Sequence, residues 1–159
     1  MTEATSPVIP PRGRLLGLDY GQVRIGIAVC DADRTLASPL ETYTRQNLAR
    51  DEAFFRTLVT REGAVGLVVG LPLHINGQSG SKAAECRAFA AWLMKIVGLP
   101  VAFADERFTT VVAEDALWNA GLTHKKRKSR RDQVAAQLIL QSYLDVGGNT
   151  AYLDEPPSP

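Results

Sequence analysis

The chain has 159 residues, a length that suits one domain and leaves little room for a second. Its hydrophobic fraction of 45% and charged fraction of 22% exclude disorder throughout. With no long apolar run and no basic flank before an apolar stretch, we expect neither a membrane span nor a secretory signal. The 18 basic and 17 acidic residues give a formal net charge of +1, which by itself does not indicate a polyanionic partner.

Three strands and a helix are predicted in the first part of the chain. Two apolar stretches joined by the tight turn Tyr20-Gly21-Gln22 indicate a β-hairpin, and a third extended segment follows. The helix is predicted from about Leu48 to Arg61, with Asn47 as its N-cap. Its apolar positions are expected to include Ala49, Phe54 and Leu58. The predicted strands are Arg14–Asp19, Val23–Val29 and Ala37–Tyr43.

Strands then alternate with helices. The segment VGLVVG, residues 65–70, is wholly apolar, as is typical of a strand buried on both faces. The order of elements predicts a three-layer α/β domain, with a mixed five-stranded sheet and helices on both faces. We expect this domain to span residues 14–146, between a disordered leader (1–13) and a flexible tail (147–159). The remaining predicted elements are the helices Lys82–Val97, Thr110–Asn119 and Arg130–Leu144, and the strand Val101–Ala104.

Several carboxylates follow predicted strands. In an α/β sheet the working crevice lies at the carboxyl ends of the parallel strands, and Asp19 ends the first strand. Asp105 and Glu106 follow a later strand, and because neighbours in a strand point to opposite faces, only one of them can share a direction with Asp19. Asp19 could instead be a turn residue, and either later acid could pair with Arg107 or open the next helix.

Asp132 lies on the last predicted helix. It shares a face with Ala135, Ala136 and Ile139, so its carboxylate points towards the sheet, where it would be costly to bury unpaired. The alternative is a capping box in which Ser129 begins the helix. Carboxylates that converge on one crevice provide oxygen-only ligands, which suit Mg²⁺ or Mn²⁺. Two such ions can activate a water molecule and stabilise the leaving oxygen when a phosphodiester bond is hydrolysed.

A basic strip, residues 125–131, precedes Asp132 directly. Its sequence KKRKSRR holds six basic residues, and without them 12 basic residues face 17 acidic ones, a net charge of −5. We expect the strip to form a loop that delivers a polyanion to the carboxylates, and the alternative is an ordinary solvated charge run. The candidate phosphate contacts are Arg107, Lys125, Lys126, Arg127, Lys128, Arg130 and Arg131.

The loop after VGLVVG leads into a helix N-terminus and could hold a phosphate. It lacks the GxxxxGK[ST] pattern, and an ordinary strand-to-helix connection is the alternative. Its candidate residues are Gly77, Ser79, Gly80, Ser81 and Lys82. Elsewhere, Cys30 and Cys86 are expected to be buried free thiols, because there is no CxxC pair or Cys/His cluster.

Four stretches in order resemble the YqgF/RuvX family of pre-16S rRNA nucleases, which are related to Holliday-junction resolvases: LLGLDYGQVRIGIAV, VVGLPLHINGQSG, FADERFTTVVAE and RRDQVAAQLILQSYL. The resemblance covers about Arg14–Leu144. It implies an RNase H-like fold and a cytoplasmic, metal-dependent nuclease that trims the 5′ end of precursor 16S rRNA. It assigns Asp19, Glu106 and Asp132 as the acidic site. In the wider resolvase group this strand often ends with an acid, whereas VGLVVG has no acid at its end.

The sequence is also compatible with three other functions. A DNA endonuclease that resolves four-way junctions would use the same acidic site, and a non-catalytic RNA-binding assembly factor would keep the acids for structure. An ATP-binding protein of the actin-like type shares the core topology and a strand-Asp-x-Gly hairpin. Such proteins usually need two domains around the nucleotide, and 159 residues supply one.

Overall fold

A five-stranded mixed sheet forms the centre of the computed structural model, which describes residues 8–72, 80–105 and 123–147. The strand order is β3-β2-β1-β4-β5, with the first three strands antiparallel and β1, β4 and β5 parallel. Each strand predicted from the sequence is present, with its ends displaced by no more than one residue. The strands are β1 (Arg14–Asp19), β2 (Arg24–Cys30), β3 (Ala37–Thr44), β4 (Ala64–Leu71) and β5 (Val101–Asp105).

Helices cover both faces of the sheet, which confirms the predicted three-layer architecture. The described helices are α1 (Leu48–Glu62), α2 (Gly80–Val97) and α3 (His124–Asp145). Alternation along each strand sends Leu16 and Leu18 into the core beneath α1 and α2, whereas Leu15 faces α3. VGLVVG lies within β4, where residues 66–71 are buried, as its continuous apolar sequence predicts.

The α3 face of the sheet is lined by small residues, and the helix therefore lies close to the strands. Ala28, Ala102 and Ala104 pack there against the apolar side of α3. At Gly26 a Cβ atom would lie only 1.9 Å from the carbonyl oxygen of Asp132, and at Gly17 it would lie 2.6 Å from the Cβ of Leu140. The helix backbone thus occupies space that any larger side chain on these strands would need.

Helix α1 begins and ends as its sequence predicts. The Asn47 side chain accepts a hydrogen bond of 2.9 Å from the backbone N–H of Arg50, which confirms it as the N-cap. Asp51, Phe55 and Leu58 are buried, Phe54 is half-buried, and Ala49 is exposed. The prediction that Ala49 is part of the apolar face was wrong, because the buried stripe runs through Asp51 at helical spacing.

Helix α3 begins six residues earlier than predicted, so the basic strip is helical and the predicted loop was wrong. Thr123 caps the helix, and its hydroxyl accepts a hydrogen bond from the N–H of Lys126. Lys and Arg favour helices, and no Gly or Pro interrupts the strip. The proposed capping box at Ser129 was also wrong, because Ser129 lies inside the helix and its carbonyl accepts a 2.6 Å bond from Thr42 Oγ1.

Other predictions fall partly or wholly outside the described residues. The predicted helix Thr110–Asn119 lies outside them, and so does most of the connection between β4 and α2. Cys30 and Cys86 are buried free thiols, as expected. Near the predicted leader, the Arg34 side chain donates hydrogen bonds to the carbonyls of Pro10 and Gly13. No helix in the described ranges is long and apolar enough to cross a membrane.

Candidate functional site

Asp19 and Asp132 lie on the same face of the sheet, next to each other. Asp19 ends β1 and pairs with Gly26 of β2 in an antiparallel register. Opposite residues in such a pair project to the same face, with Cα atoms about 4.5–5.5 Å apart. The missing Cβ of Gly26 would lie 2.9 Å from the Cβ of Asp132. Strand β1 therefore presents Asp19 on the α3 face, one strand away from Gly26 of β2, where Asp132 packs.

Arg24 supplies a positive charge beside these two acids, and it is not among the site residues predicted from the sequence. It begins β2, two residues before Gly26, and so projects to the same face. Its Nε donates a 2.7 Å hydrogen bond to Oδ2 of Asp132, and the two side chains are 34% and 18% exposed. This is a short, charge-assisted bond. The alternation of Arg24, Gly26 and Ala28 along β2 was the sequence signal that could have located it.

Of the two adjacent acids Asp105 and Glu106, Asp105 is the last residue of β5. Ala102 and Ala104 pack against α3, while Phe103 packs beneath α1 and α2. Strand alternation therefore places Asp105 with Phe103, on the face opposite to Asp19. Glu106 and Arg107 lie outside the described residues.

The basic strip forms most of the first two turns of α3 and ends one residue before Asp132. All of its basic side chains are exposed except that of Arg131, which is half-buried. The first turn holds no acid, although the helix dipole favours acids there and disfavours cations. Like charges also recur at i,i+4, as between Lys126 and Arg130, and such pairs weaken a helix. The strip therefore concentrates positive potential beside the carboxylates.

A buried hydrogen-bond network anchors the turn that follows Asp19. Asp51 is 2% exposed and accepts bonds of 2.6 Å from the Tyr43 hydroxyl, 3.0 Å from the N–H of Gln46 and 3.3 Å from Nε of Arg45. Burial acts to raise the pKa of Asp51, but these bonds and the Arg45 charge together lower it. Arg45 also donates to the Tyr20 hydroxyl at 3.3 Å. The network fixes Tyr20, the residue next to Asp19, and it is not predicted from the sequence.

The first turn of α2 adjoins the same edge of the sheet. Gln22, in the turn after Asp19, donates a 3.1 Å hydrogen bond to Glu85 on α2. Gly80, Ser81 and Lys82 form the exposed first turn of that helix. Two further residues of the candidate phosphate loop, Gly77 and Ser79, lie outside the described residues.

The donor atoms of this site suit a hard divalent cation. Asp19 and Asp132 provide carboxylate oxygens, the ligands that Mg²⁺ and Mn²⁺ prefer. Asp132 already binds a cation, the Arg24 guanidinium, so the site is one in which positive charge is favoured. Within the described ranges no group of three His, Cys, Asp or Glu side chains could hold a metal ion. The described residues therefore contribute two carboxylates to the candidate site, those of Asp19 and Asp132.

Two solved structures share this architecture. The first is Thermus thermophilus RuvC in complex with a Holliday junction substrate, with a TM-score of 0.55 and 16% identity, covering 84% of this chain and 96% of that one. A second Thermus thermophilus RuvC structure has a TM-score of 0.50 and 15% identity, covering 86% and 98%. The similarity establishes the fold class, which is the predicted RNase H-like one.

The family model described as "RuvX: Holliday junction resolvase" matches residues 13–146. A relative from Rhodopirellula baltica is 47% identical over 137 residues, covering 86% of this chain and 79% of the relative. One from Moorella thermoacetica is 49% identical over 132 residues, covering 83% and 94%. Both relatives are named "Putative pre-16S rRNA nuclease". The chain belongs to the RuvX family, which confirms the resemblance drawn from its four motifs.

Proposed function

We propose that this protein is a cytoplasmic, metal-dependent nuclease that hydrolyses phosphodiester bonds of structured RNA and processes the 5′ end of precursor 16S rRNA. The observation that carries the proposal is the packing of Asp132 against Gly26, the residue that pairs with Asp19. Two carboxylates thus lie on one face of the sheet, and the helical basic strip ends directly before one of them, Asp132. The names of the relatives support precursor 16S rRNA as the substrate.

In this proposal Asp19, Glu106 and Asp132 hold Mg²⁺ or Mn²⁺, with two ions at the complete site. The alternation of β5 supports Glu106 over Asp105, since Asp105 shares its face with Phe103. When bound, such ions supply an acidified water and offset charge on the reacting phosphate. The chain itself holds the carboxylates in place through the close contact at Gly26 and through the anchored turn at Tyr20.

The basic side chains bind the nucleic acid backbone in this proposal. The strip is continuous with the helix that carries Asp132, so phosphates bound along it are held at fixed distances from the acids. The first turn of α2, on the other side of the β1–β2 turn, adds backbone N–H groups and Lys82. The proposed phosphate contacts are Arg107, Lys125, Lys126, Arg127, Lys128, Arg130 and Arg131, together with Gly77, Ser79, Gly80, Ser81 and Lys82.

A DNA endonuclease that resolves four-way junctions is the second candidate. The description of the matching family model, Holliday junction resolvase, favours it. Contacts to phosphates position a nucleic acid without specifying which one is bound, so the same strip serves both functions. Cleavage of a four-way DNA junction and of precursor 16S rRNA, measured side by side, separates the two candidates.

The proposal is tested by mutating the two described carboxylates. Asp19→Asn and Asp132→Asn should each abolish Mn²⁺-dependent cleavage of precursor 16S rRNA while the circular dichroism spectrum stays that of the wild type. Asp145→Asn is the matched control, because Asp145 is the exposed last residue of α3 and bonds Gln141. Wild-type cleavage rates in both Asp19→Asn and Asp132→Asn would refute the proposal.

A further inference from the structure

Arg24 is a charged residue of the site that neither the family resemblance nor the acidic motif assigns. We propose that Arg24 is the built-in counter-ion of this site. Its guanidinium holds Asp132 when no metal is bound, competes with the divalent cation for that carboxylate, and binds a phosphate of the nucleic acid once it is displaced. The inference rests on the proposed function, because it takes Asp132 as a metal ligand.

The Asp132 carboxylate needs a cation at all times. It is 18% exposed, and a carboxylate so far removed from water is costly unless it is paired. The 2.7 Å bond from Arg24 meets that need in the metal-free protein. The bond joins Nε to a single oxygen, Oδ2, so it neutralises the carboxylate without enclosing it.

The Arg24 side chain is the part of this ion pair that can move. The Asp132 backbone is wedged against Gly26, where there is no space for even one additional carbon atom. The Arg24 backbone is held by its pairing with Thr44 of β3. Its side chain is long and 34% exposed, which leaves the guanidinium a path to solvent. A divalent ion on Asp132 would repel the guanidinium and push it outwards.

A displaced guanidinium at this position suits a phosphate. Arg stays protonated at any physiological pH, and its planar donors match phosphate oxygens. Because Arg24 contacts Asp132, which directly follows the basic strip, the displaced guanidinium would remain close to the proposed phosphate contacts. Metal binding therefore makes Arg24 available to the substrate, and metal and nucleic acid should each strengthen the binding of the other.

The affinity for Mn²⁺ distinguishes a competing counter-ion from a purely structural one. We expect calorimetric titration of Arg24→Gln to show Mn²⁺ binding about threefold to tenfold tighter than in the wild type, because a partly exposed ion pair no longer has to be broken. Arg61→Gln removes the same charge from a pair with Glu41 and Glu62, and it should stay within about twofold of the wild type. Unchanged or weaker Mn²⁺ binding in Arg24→Gln would overturn the inference.

The wild-type protein provides a second measurement that does not depend on the variant folding. The NMR resonance of the Arg24 Nε–Hε group, assigned by its loss in Arg24→Lys, should move from a hydrogen-bonded to a solvent-like position as Mg²⁺ is added. A resonance that keeps its bonded position at saturating Mg²⁺ would refute the displacement. Mn²⁺ binding that is absent, or that persists unchanged in Asp132→Asn, would instead refute the proposed metal site, and the inference with it.

The phosphate step is tested by the salt dependence of binding to an RNA hairpin, measured at 4 °C with the hairpin checked for integrity. Without metal, Arg24 is neutralised by Asp132, so Arg24→Gln should leave the salt slope unchanged. With Mn²⁺ present, the variant's slope should be smaller than the wild type's by about 0.7–0.9, the value for one phosphate contact. If Arg24→Gln lowers the salt slope equally with and without Mn²⁺, or leaves it unchanged in both conditions, the displaced guanidinium does not bind a phosphate.

Discussion

Gly26→Ala is the sharpest test of the contact that brings the two carboxylates together. The added Cβ would lie 1.9 Å from the carbonyl oxygen of Asp132 and 2.3 Å from its carbonyl carbon, whereas real Cβ atoms essentially never come closer than 3.0 Å. The atoms in the way are helix backbone, so no side-chain rotation can relieve the clash. The start of α3 must therefore move away from β2 by at least about 1.1 Å, the difference between these distances.

That displacement should affect activity much more than folding. Overpacking of this kind costs about 1–3 kcal/mol of stability, whereas a misplacement of about 1 Å in a reacting constellation lowers the rate roughly 100-fold. We expect Gly26→Ala to remain folded at 25 °C. Its rate of Mn²⁺-dependent cleavage of precursor 16S rRNA should fall by at least about 100-fold, because Asp132 is displaced. Binding of the RNA, which is proposed to depend mainly on the basic strip, should change by less than about threefold.

Gly66→Ala is the matched control in the same sheet. Its Cβ would meet the side chains of Leu15 and Ile9 at 3.1 Å and 3.3 Å, and Leu15 lies at the other end of β1 from Asp19. We expect some loss of stability and a cleavage rate within about threefold of the wild type, since the acids do not move. Full activity of folded Gly26→Ala would refute the argument that this contact sets the position of Asp132.

Three further predictions concern the basic strip, the buried acid and the helix cap. Replacing both Lys125 and Lys126 with Gln should lower the salt slope of RNA binding by about 1.4–1.8, whereas Lys95→Gln on α2 should leave it unchanged. Asp51 has a lowered pKa, so its contribution to stability is present above the ordinary Asp pKa of 3.8 and is lost as the pH falls through the lower folded value. Chemical denaturation should accordingly show Asp51→Asn less stable than the wild type by about 1–3 kcal/mol at pH 7, with the difference shrinking in acid. Thr123→Ala removes the cap of α3, which is worth about 1 kcal/mol, and amide exchange in the first turn should accelerate roughly fivefold.

The sequence predicted β1, β2, β4 and β5 well because most of their residues are buried, whichever face they point to. β4 is apolar throughout because each of its sides meets a core, and the tight turn after Asp19 leaves few alternatives to a hairpin. The same patterns placed Asp19 and Asp132 at one edge of the sheet. The identity of the third acid came from the family resemblance, since alternation alone shows that Asp105 and Glu106 point in opposite directions without showing which one faces α3.

The sequence of the basic strip predicts a loop because a run of charges has no apolar periodicity. Its helical structure depends on the cap at Thr123 and on the helix propensity of Lys and Arg, both of which outweigh repulsion between neighbouring charges. Arg24 was missed for a different reason. A single cation in a strand has meaning only when its face and its partner are known, and Asp132 lies 108 residues away.

Because the basic strip is helical, its charges have defined positions relative to Asp132. A charged loop would attract a polyanion without fixing its position, because its side chains could occupy many places. A helix rises about 1.5 Å per residue, so Lys125 lies roughly 10 Å along the axis from Asp132. Asp132 is in turn fixed on the sheet by its contact with Gly26. If these side chains bind phosphates as proposed, the phosphates would be held at set distances from the carboxylates. Under the proposed function, a bound polyanion would remove the repulsion between the cations at the start of α3.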